Sequence, residues 1–145
     1  MEFIGYFSNV FIFENLLILV LGTIGGLLMG AAPGLSPTMA VALLIPFTFK
    51  MSPDQGLIML GAVYTATVAG GAISAILLKI PGAPANKATV MDGYPMAKSG
   101  KSKEALHYCF ISSFIGGVIG IIILIFFTPV LANFALKFGP SHMFW

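Results

Sequence analysis

Long charge-free apolar runs alternate with short polar stretches along this chain. No Asp, Glu, Lys or Arg occurs from Asn15 to Phe49, from Gln55 to Leu78 or from Ala105 to Leu136. A helix rises about 1.5 Å per residue and needs about 20 apolar residues to cross a bilayer, so each run is long enough to span. The first run fits poorly as one helix, because it would measure about 50 Å against a hydrocarbon core of about 30 Å. Its middle reads Ala31-Ala32-Pro33-Gly34-Leu35-Ser36-Pro37-Thr38. Proline removes a backbone donor and glycine permits a sharp bend, while Ser36 before Pro37 has the order of an N-cap and a first helical residue. A second interruption, Lys79-Ile80-Pro81-Gly82-Ala83-Pro84-Ala85-Asn86, follows the middle run. The pattern predicts helices over 10–32, 37–49, 53–78 and 103–128, the last continuing in bent form past Pro129 to 137. A lysine-rich loop is expected over 79–104.

Composition sets the solvent. Only 8% of the 145 residues are charged, against about 25% in soluble domains, and 58% are hydrophobic. The expected fold class is an all-α membrane protein, a polytopic helix bundle with proline- and glycine-broken or re-entrant helices in a single membrane domain. The seven basic residues are all lysine and the net charge is +2, which is no nucleic-acid footprint. One cysteine excludes an internal disulfide, and two isolated histidines make no structural zinc site. Glu2 and Glu14, where a secretory leader would carry lysines, argue for a retained membrane segment. Lys87, Lys98, Lys101 and Lys103 crowd one connection, which favours the cytoplasmic side for it.

Gly22, Gly26 and Gly30 recur every fourth position, as do Ser112, Gly116 and Gly120, the spacing that lets helices approach closely in lipid. The two breaks carry the candidate chemistry. A half-helix that starts inside a membrane aims free N–H groups and a partial positive charge at what precedes it, which suits a carboxylate. Carbonyls freed by such a break can coordinate Na⁺. Candidate substrate- or ion-binding residues are Gly34, Ser36, Thr38, Gly70, Gly71, Ser74, Pro81, Gly82 and Asn86. Lys79 is a candidate partner for a substrate carboxylate, set against the plainer reading that it snorkels to the cytoplasmic surface. Asp92-Gly93-Tyr94-Pro95 reads as a fixed turn, Glu14 as a helix start, and His107 with Tyr108 as interfacial residues.

At these motifs the chain resembles the large membrane subunit of tripartite tricarboxylate transporters. The resemblance rests on Pro33-Gly34-Leu35-Ser36-Pro37, Leu43-Leu44-Ile45-Pro46-Phe47-Thr48-Phe49, Tyr64, Gly70-Gly71, Ala75-Ile76-Leu77-Leu78 and Pro81-Gly82. It is strongest across Asp92-Gly93-Tyr94-Pro95-Met96-Ala97, then continues through Gly100, Ala105-Leu106, Ser113-Phe114-Ile115-Gly116-Gly117 and Phe138-Gly139-Pro140. It covers nearly the whole chain from Gly22 onward. The sequence departs from the family pattern at Ala66, Ala69, Ala72, Lys79, Asn86 and Ser141-His142-Met143, positions that bear on substrate more than on fold.

The resemblance implies a permease subunit of a bacterial secondary transporter, multi-pass in the inner membrane. It implies uptake of a carboxylate, with a tricarboxylate such as citrate as the family default, driven by Na⁺ or H⁺ as coupling ion and without another cofactor. The implied partners are a small membrane subunit and an extracytoplasmic solute-binding protein. It further implies that this chain is the first repeat, or a fragment, of a longer two-repeat permease, with a homodimer standing in if the chain were complete. Two other classes stand beside it. One is a non-transporting membrane scaffold that assembles partner helices through its glycine faces. The other is an intramembrane enzyme using Ser, His107 or Cys109, for which no metalloprotease or paired-aspartate motif is present. The expectation is a transporter subunit and not an enzyme.

Overall fold

The computed structural model describes residues 10–135, except the side chains of Val130 and of residues 132–135. Five helices follow in order: α1 (Phe13–Ala31), α2 (Pro37–Thr48), α3 (Pro53–Leu78), α4 (Asn86–Met96) and α5 (Ser102–Ala135). A widened turn, Ala97–Lys101, joins α4 to α5 and kinks at Gly100, whose φ is 87°. Three apolar stretches are long enough to cross a membrane: Phe13–Ala31, Pro53–Leu78 and Asn86–Pro129. With no strand among the described residues, this is an all-α membrane fold. The expected extension to 137 and the Phe138-Gly139-Pro140 motif lie outside the described residues.

The starts of α2 and α3 are written in the sequence. Ser36 accepts the Met39 N–H at 3.3 Å and Pro37 opens α2. Ser52 and Gln55 form a reciprocal capping box at the start of α3, with Pro53 as its first residue. Such caps satisfy N–H groups that otherwise lack intrahelical partners.

Glycine contacts fix how α1 and α3 run. A Cβ at Gly22 would face Ala62, one at Gly26 would face Val63 and Ala66, and one at Gly30 would run into the Thr67 backbone. From the other side, a Cβ at Gly70 would meet the Leu27 carbonyl and the Ala31 nitrogen. The contacts climb both helices in the same sense, so α1 and α3 are parallel. Gln55 Nε2 donating to Glu14 Oε2 at 3.5 Å marks their shared lower end. The short α2 therefore carries the chain back, and Gly56 at the start of α3 packs beside Thr48. Pro33–Ser36 is thus the tip of a hairpin.

Lengths place that tip along α3. The 26 residues of α3 make about 39 Å, more than a hydrocarbon core, while the 19 of α1 make about 28 Å. Because α1 ends beside Gly70, it stops about 12 Å short of the end of α3.

The connection 79–104 differs from the loop expected there. After α3 closes at Lys79, the chain folds back until Asn86 lies beside Gly71, and α4 then climbs alongside α3. Gly93 reaches Ile76, where an added Cβ would lie 2.8 Å from Cγ1, and the Lys79 ammonium sits 5.5 Å from the centre of the Tyr94 ring. The Asp92–Pro95 segment is accordingly helical and not the turn its dipeptides suggest. Tertiary contact overrides local preference: Gly93 is needed for close approach, and Pro95 is carried inside the helix although it cannot donate to the carbonyl four residues back.

The contacts group into two units, one ending at Cys109 and one starting at Phe110. In the second unit, Phe114, Ile121, Leu124 and Phe126 are exposed, as suits a lipid-facing helix. Cβ atoms at Gly116, Gly117 and Gly120 would meet nothing within 4 Å, so this second run of small residues packs no described neighbour.

Candidate functional site

Both interruptions arrive at one place. Gly82 lies against α3, where a Cβ on it would be 3.0 Å from the Gly71 Cα. The same Cβ would be 3.4 Å from the Leu35 carbonyl oxygen and 3.5 Å from that of Gly30. The hairpin tip, the second Pro-Gly break and the Gly70-Gly71 pair therefore share one junction. Successive residues on a helix point about 100° apart. Gly70 accordingly accommodates the end of α1 while Gly71 accommodates Gly82 and Asn86, and neither neighbour leaves room for a side chain.

Asn86 anchors the second break. It is 96% buried by the 4% exposure it retains, and its Nδ2 donates to the Val68 carbonyl at 3.1 Å. A Cβ at Gly71 would lie 2.5 Å from that Nδ2. The first turn of α4 is closed by the Asn86 N–H donating to Ala83 O at 3.0 Å and the Lys87 N–H donating to Pro84 O at 3.2 Å.

The other expected residues divide. Ser36 and Thr38 are joined hydroxyl to hydroxyl at 2.8 Å at the start of α2. Gly34 takes a φ of 91°, a conformation that favours glycine, with nothing around its missing side chain. Pro81 precedes Gly82 in the break and is half-buried. Ser74 is buried, and its hydroxyl donates to the Gly71 carbonyl at 3.0 Å while its own carbonyl accepts the Lys79 N–H. Lys79 is not brought to the junction. It closes α3 in the left-handed conformation, φ 61°, and its ammonium lies over Tyr94 at an exposed position.

Three groups at the junction were not singled out from sequence as site residues: the carbonyls of Gly30 and Leu35, and Thr67. Gly30 carried a visible signal as a packing glycine, but a backbone carbonyl leaves no residue-type signature. Thr67 is 1% exposed and donates its hydroxyl to Val63 O at 2.7 Å, the self-satisfied state of a buried threonine in a helix.

Electrostatically, the junction receives the N-terminal ends of α2 and α4 and the C-terminal end of α1. Helix starts carry about half a positive charge and helix ends about half a negative one. Among the described residues no group of three His, Cys, Asp or Glu side chains could hold a metal. A separate cavity of about 200 Å³, lined by Ile18, Leu21, Met29, Leu44, Met51 and Met59, is apolar and holds none of this chemistry.

An all-α bundle with membrane-length helices and two helix breaks that meet defines a polytopic membrane protein. Residues 16–145 match the model of the tripartite tricarboxylate transporter TctA family, and the chain belongs to that family. It is 38% identical over 130 residues to an uncharacterized 52.8 kDa protein of Agrobacterium vitis, encoded in the TAR-I ttuC′ 3′ region. The match covers 90% of this chain and 26% of that relative, so the chain spans about a quarter of the relative's length. No solved structure matches.

Proposed function

We propose that this chain supplies the first half of the substrate path in a permease that takes up a carboxylate, with a tricarboxylate such as citrate as the family default. The single observation that carries the reading is the meeting of the two breaks at one junction, where Gly82 packs against Gly71 and faces the Leu35 carbonyl just before α2, with Asn86 at the start of α4 beside Gly71. Two partial positive charges suit a carboxylate, and a site built of backbone avoids burying a permanent cation in lipid. Gly34, Ser36, Thr38, Gly70, Gly71, Pro81, Gly82 and Asn86 form or shape this site. Ser74 supports it from within α3. Transport is driven by an Na⁺ or H⁺ gradient, with the lysine-rich turn between α4 and α5 at the cytoplasmic face of the inner membrane. The small membrane subunit assembles with the permease, and the extracytoplasmic solute-binding protein delivers substrate to it.

The test is uptake of labelled citrate, and of a panel of di- and tricarboxylates, by cells carrying the complete permease and both partner subunits. Gradient-dependent uptake that Thr38→Val weakens supports the reading. Normal assembly of the partners with no carboxylate movement across the whole panel would overturn it in favour of a scaffold.

A further inference from the structure

We propose that the cleft between α1 and α2, floored by α3, holds one acyl chain of a membrane lipid. The cleft follows from how the three helices pack. Gly22, Gly26 and Gly30 let α1 close tightly onto α3, and Gly56 beside Thr48 brings the end of α2 against the start of α3. Both neighbours therefore lean on α3 and barely on each other. The apolar cavity of about 200 Å³ lies between them. Its wall on α1 is Ile18, Leu21, Gly25 and Met29, spaced three and four residues apart and so on one helix face. Leu44 lines it from α2, and Met59 lies on its floor in α3. A Cβ on Gly25 would meet nothing within 4 Å and Leu21 is 60% exposed, which leaves the cavity open on the α1 side.

Chemistry and size select the occupant. The wall is almost wholly apolar, whereas a buried water needs about two to four polar partners. Apolar cavities of about 150 Å³ stay dry and accept apolar guests. Left empty, the cleft would forfeit dispersion contacts for every side chain around it. Taken as a sphere, the cavity is about 7 Å across. A helix with its side chains measures about 10–12 Å, so a partner helix does not enter, while a methylene chain does. The lining suits such a guest, because Met29 and Met59 are unbranched and polarizable and adapt to a chain of variable shape. Ile18, Leu21, Gly25, Met29 and Leu44 all belong to the charge-free run from Asn15 to Phe49. The medium outside that wall is itself hydrocarbon, so a lipid tail enters without desolvating any polar group. The cavity shares no residue with the junction of the two breaks, and its occupant stands apart from the carboxylate reading.

The experiment is photolabelling of the full-length permease in vesicles of phosphatidylethanolamine and phosphatidylglycerol. The probe is a trace of phosphatidylcholine carrying a diazirine midway along one acyl chain, and adducts are mapped by peptide mass spectrometry. The expected result is labelling at Met29, Leu44 and Met59 together, one half-buried position on each of the three helices. Gly25→Leu sends a side chain into the cavity from a position where a Cβ strikes nothing. It should lower labelling at those three residues about tenfold and leave labelling elsewhere on the permease unchanged. Labelling elsewhere with none at the three overturns the site, and means that the cleft is empty or filled by a side chain from the rest of the permease. Labelling at the three that Gly25→Leu leaves intact overturns it as well, because the chain then lies outside the cavity. Should Gly25→Leu fail to fold, Leu44→Phe narrows the cavity from α2, and the same loss is read at Met29 and Met59.

Discussion

Alanine at Gly30 tests the seam between α1 and α3 most severely. A Cβ there would run into the Thr67 carbonyl oxygen and lie 2.8 Å from that residue's carbonyl carbon and Cα. Three other glycines on α1 grade the same chemical change. At Gly26 the Cβ would stand 2.7 Å from Val63 O and 2.8 Å from the Ala66 Cβ, and at Gly22 3.2 Å from the Ala62 Cβ. At Gly25 it would meet nothing within 4 Å. Each substitution gains the same helix propensity, about 1 kcal/mol at most, so differences from Gly25→Ala isolate the steric cost. Overpacking costs about 1–3 kcal/mol. Gly30→Ala belongs at the top, about 3 kcal/mol below Gly25→Ala, because its obstacle is backbone that no rotamer change can move. Gly26→Ala should fall about 2 kcal/mol below, and Gly22→Ala under about 1 kcal/mol, since a methyl-to-methyl contact relaxes by a small shift. Reversible unfolding of the full-length protein in mixed micelles, followed by circular dichroism, measures the series. If Gly30→Ala came within about 0.5 kcal/mol of Gly25→Ala, the spread of an ordinary surface change, the close parallel packing of α1 on α3 would be refuted.

Further predictions address direction, strain and anchoring. In a Cys109→Ser background, Glu14→Cys and Gln55→Cys should cross-link in membranes while Glu14→Cys with Leu78→Cys should not, because the helices are parallel. Gly34→Ala should lower stability by about 1–2 kcal/mol through backbone strain alone, given its positive φ and open surroundings. Asn86→Ala should cost about 1–2 kcal/mol and speed exchange across residues 81–96, since it removes the bond to Val68 O. Lys79→Gln should leave carboxylate affinity in uptake assays unchanged, because the ammonium sits over Tyr94 and not at the junction. Lys79→Ala should lose about 0.5–1 kcal/mol from that contact, and Lys79→Gly less, because glycine also relieves the left-handed φ.

What the sequence disclosed follows from the range of the forces involved. Charge-free runs reveal membrane helices because burial in lipid acts on each residue separately, and that made the all-α membrane class legible. Ser36-Pro37 and Ser52-Pro53 could be read as helix starts because a cap acts over three residues. By contrast, α4 was hidden. The lysines in and after it and its Gly93-Tyr94-Pro95 stretch read locally as loop, while its helix is held by Asn86 on Val68 and Gly93 on Ile76, contacts made across the fold. The left-handed Lys79 was hidden for a related reason, since nothing in a lysine announces φ 61°. The two breaks could be recognised separately as candidate sites. Their meeting could not, because it depends on α1 and α3 running parallel and on the fold-back after Lys79.

Packing explains why glycine, and not a charged residue, marks the junction of the two breaks in this sequence. Gly30, Gly70, Gly71 and Gly82 each sit where a Cβ would strike another segment's backbone or crowd Asn86. Removing side chains brings helix ends together, and helix ends are themselves the charged groups. The restraints on the two sides of α3 are unequal. Along α1 they repeat at Gly22, Gly26, Gly30 and Gly70, so the seam resists sliding over its whole length. On α4 they include Asn86 on Val68, Gly93 on Ile76 and Lys79 over Tyr94, and α4 is joined to α3 through a left-handed residue. A ligand that touches both breaks therefore ties a firmly packed hairpin to a lightly held half-helix. Its binding energy acts most where the fold itself supplies least, which is why the exchange behaviour of residues 80–90 carries more information about the site than the stability of the bundle does.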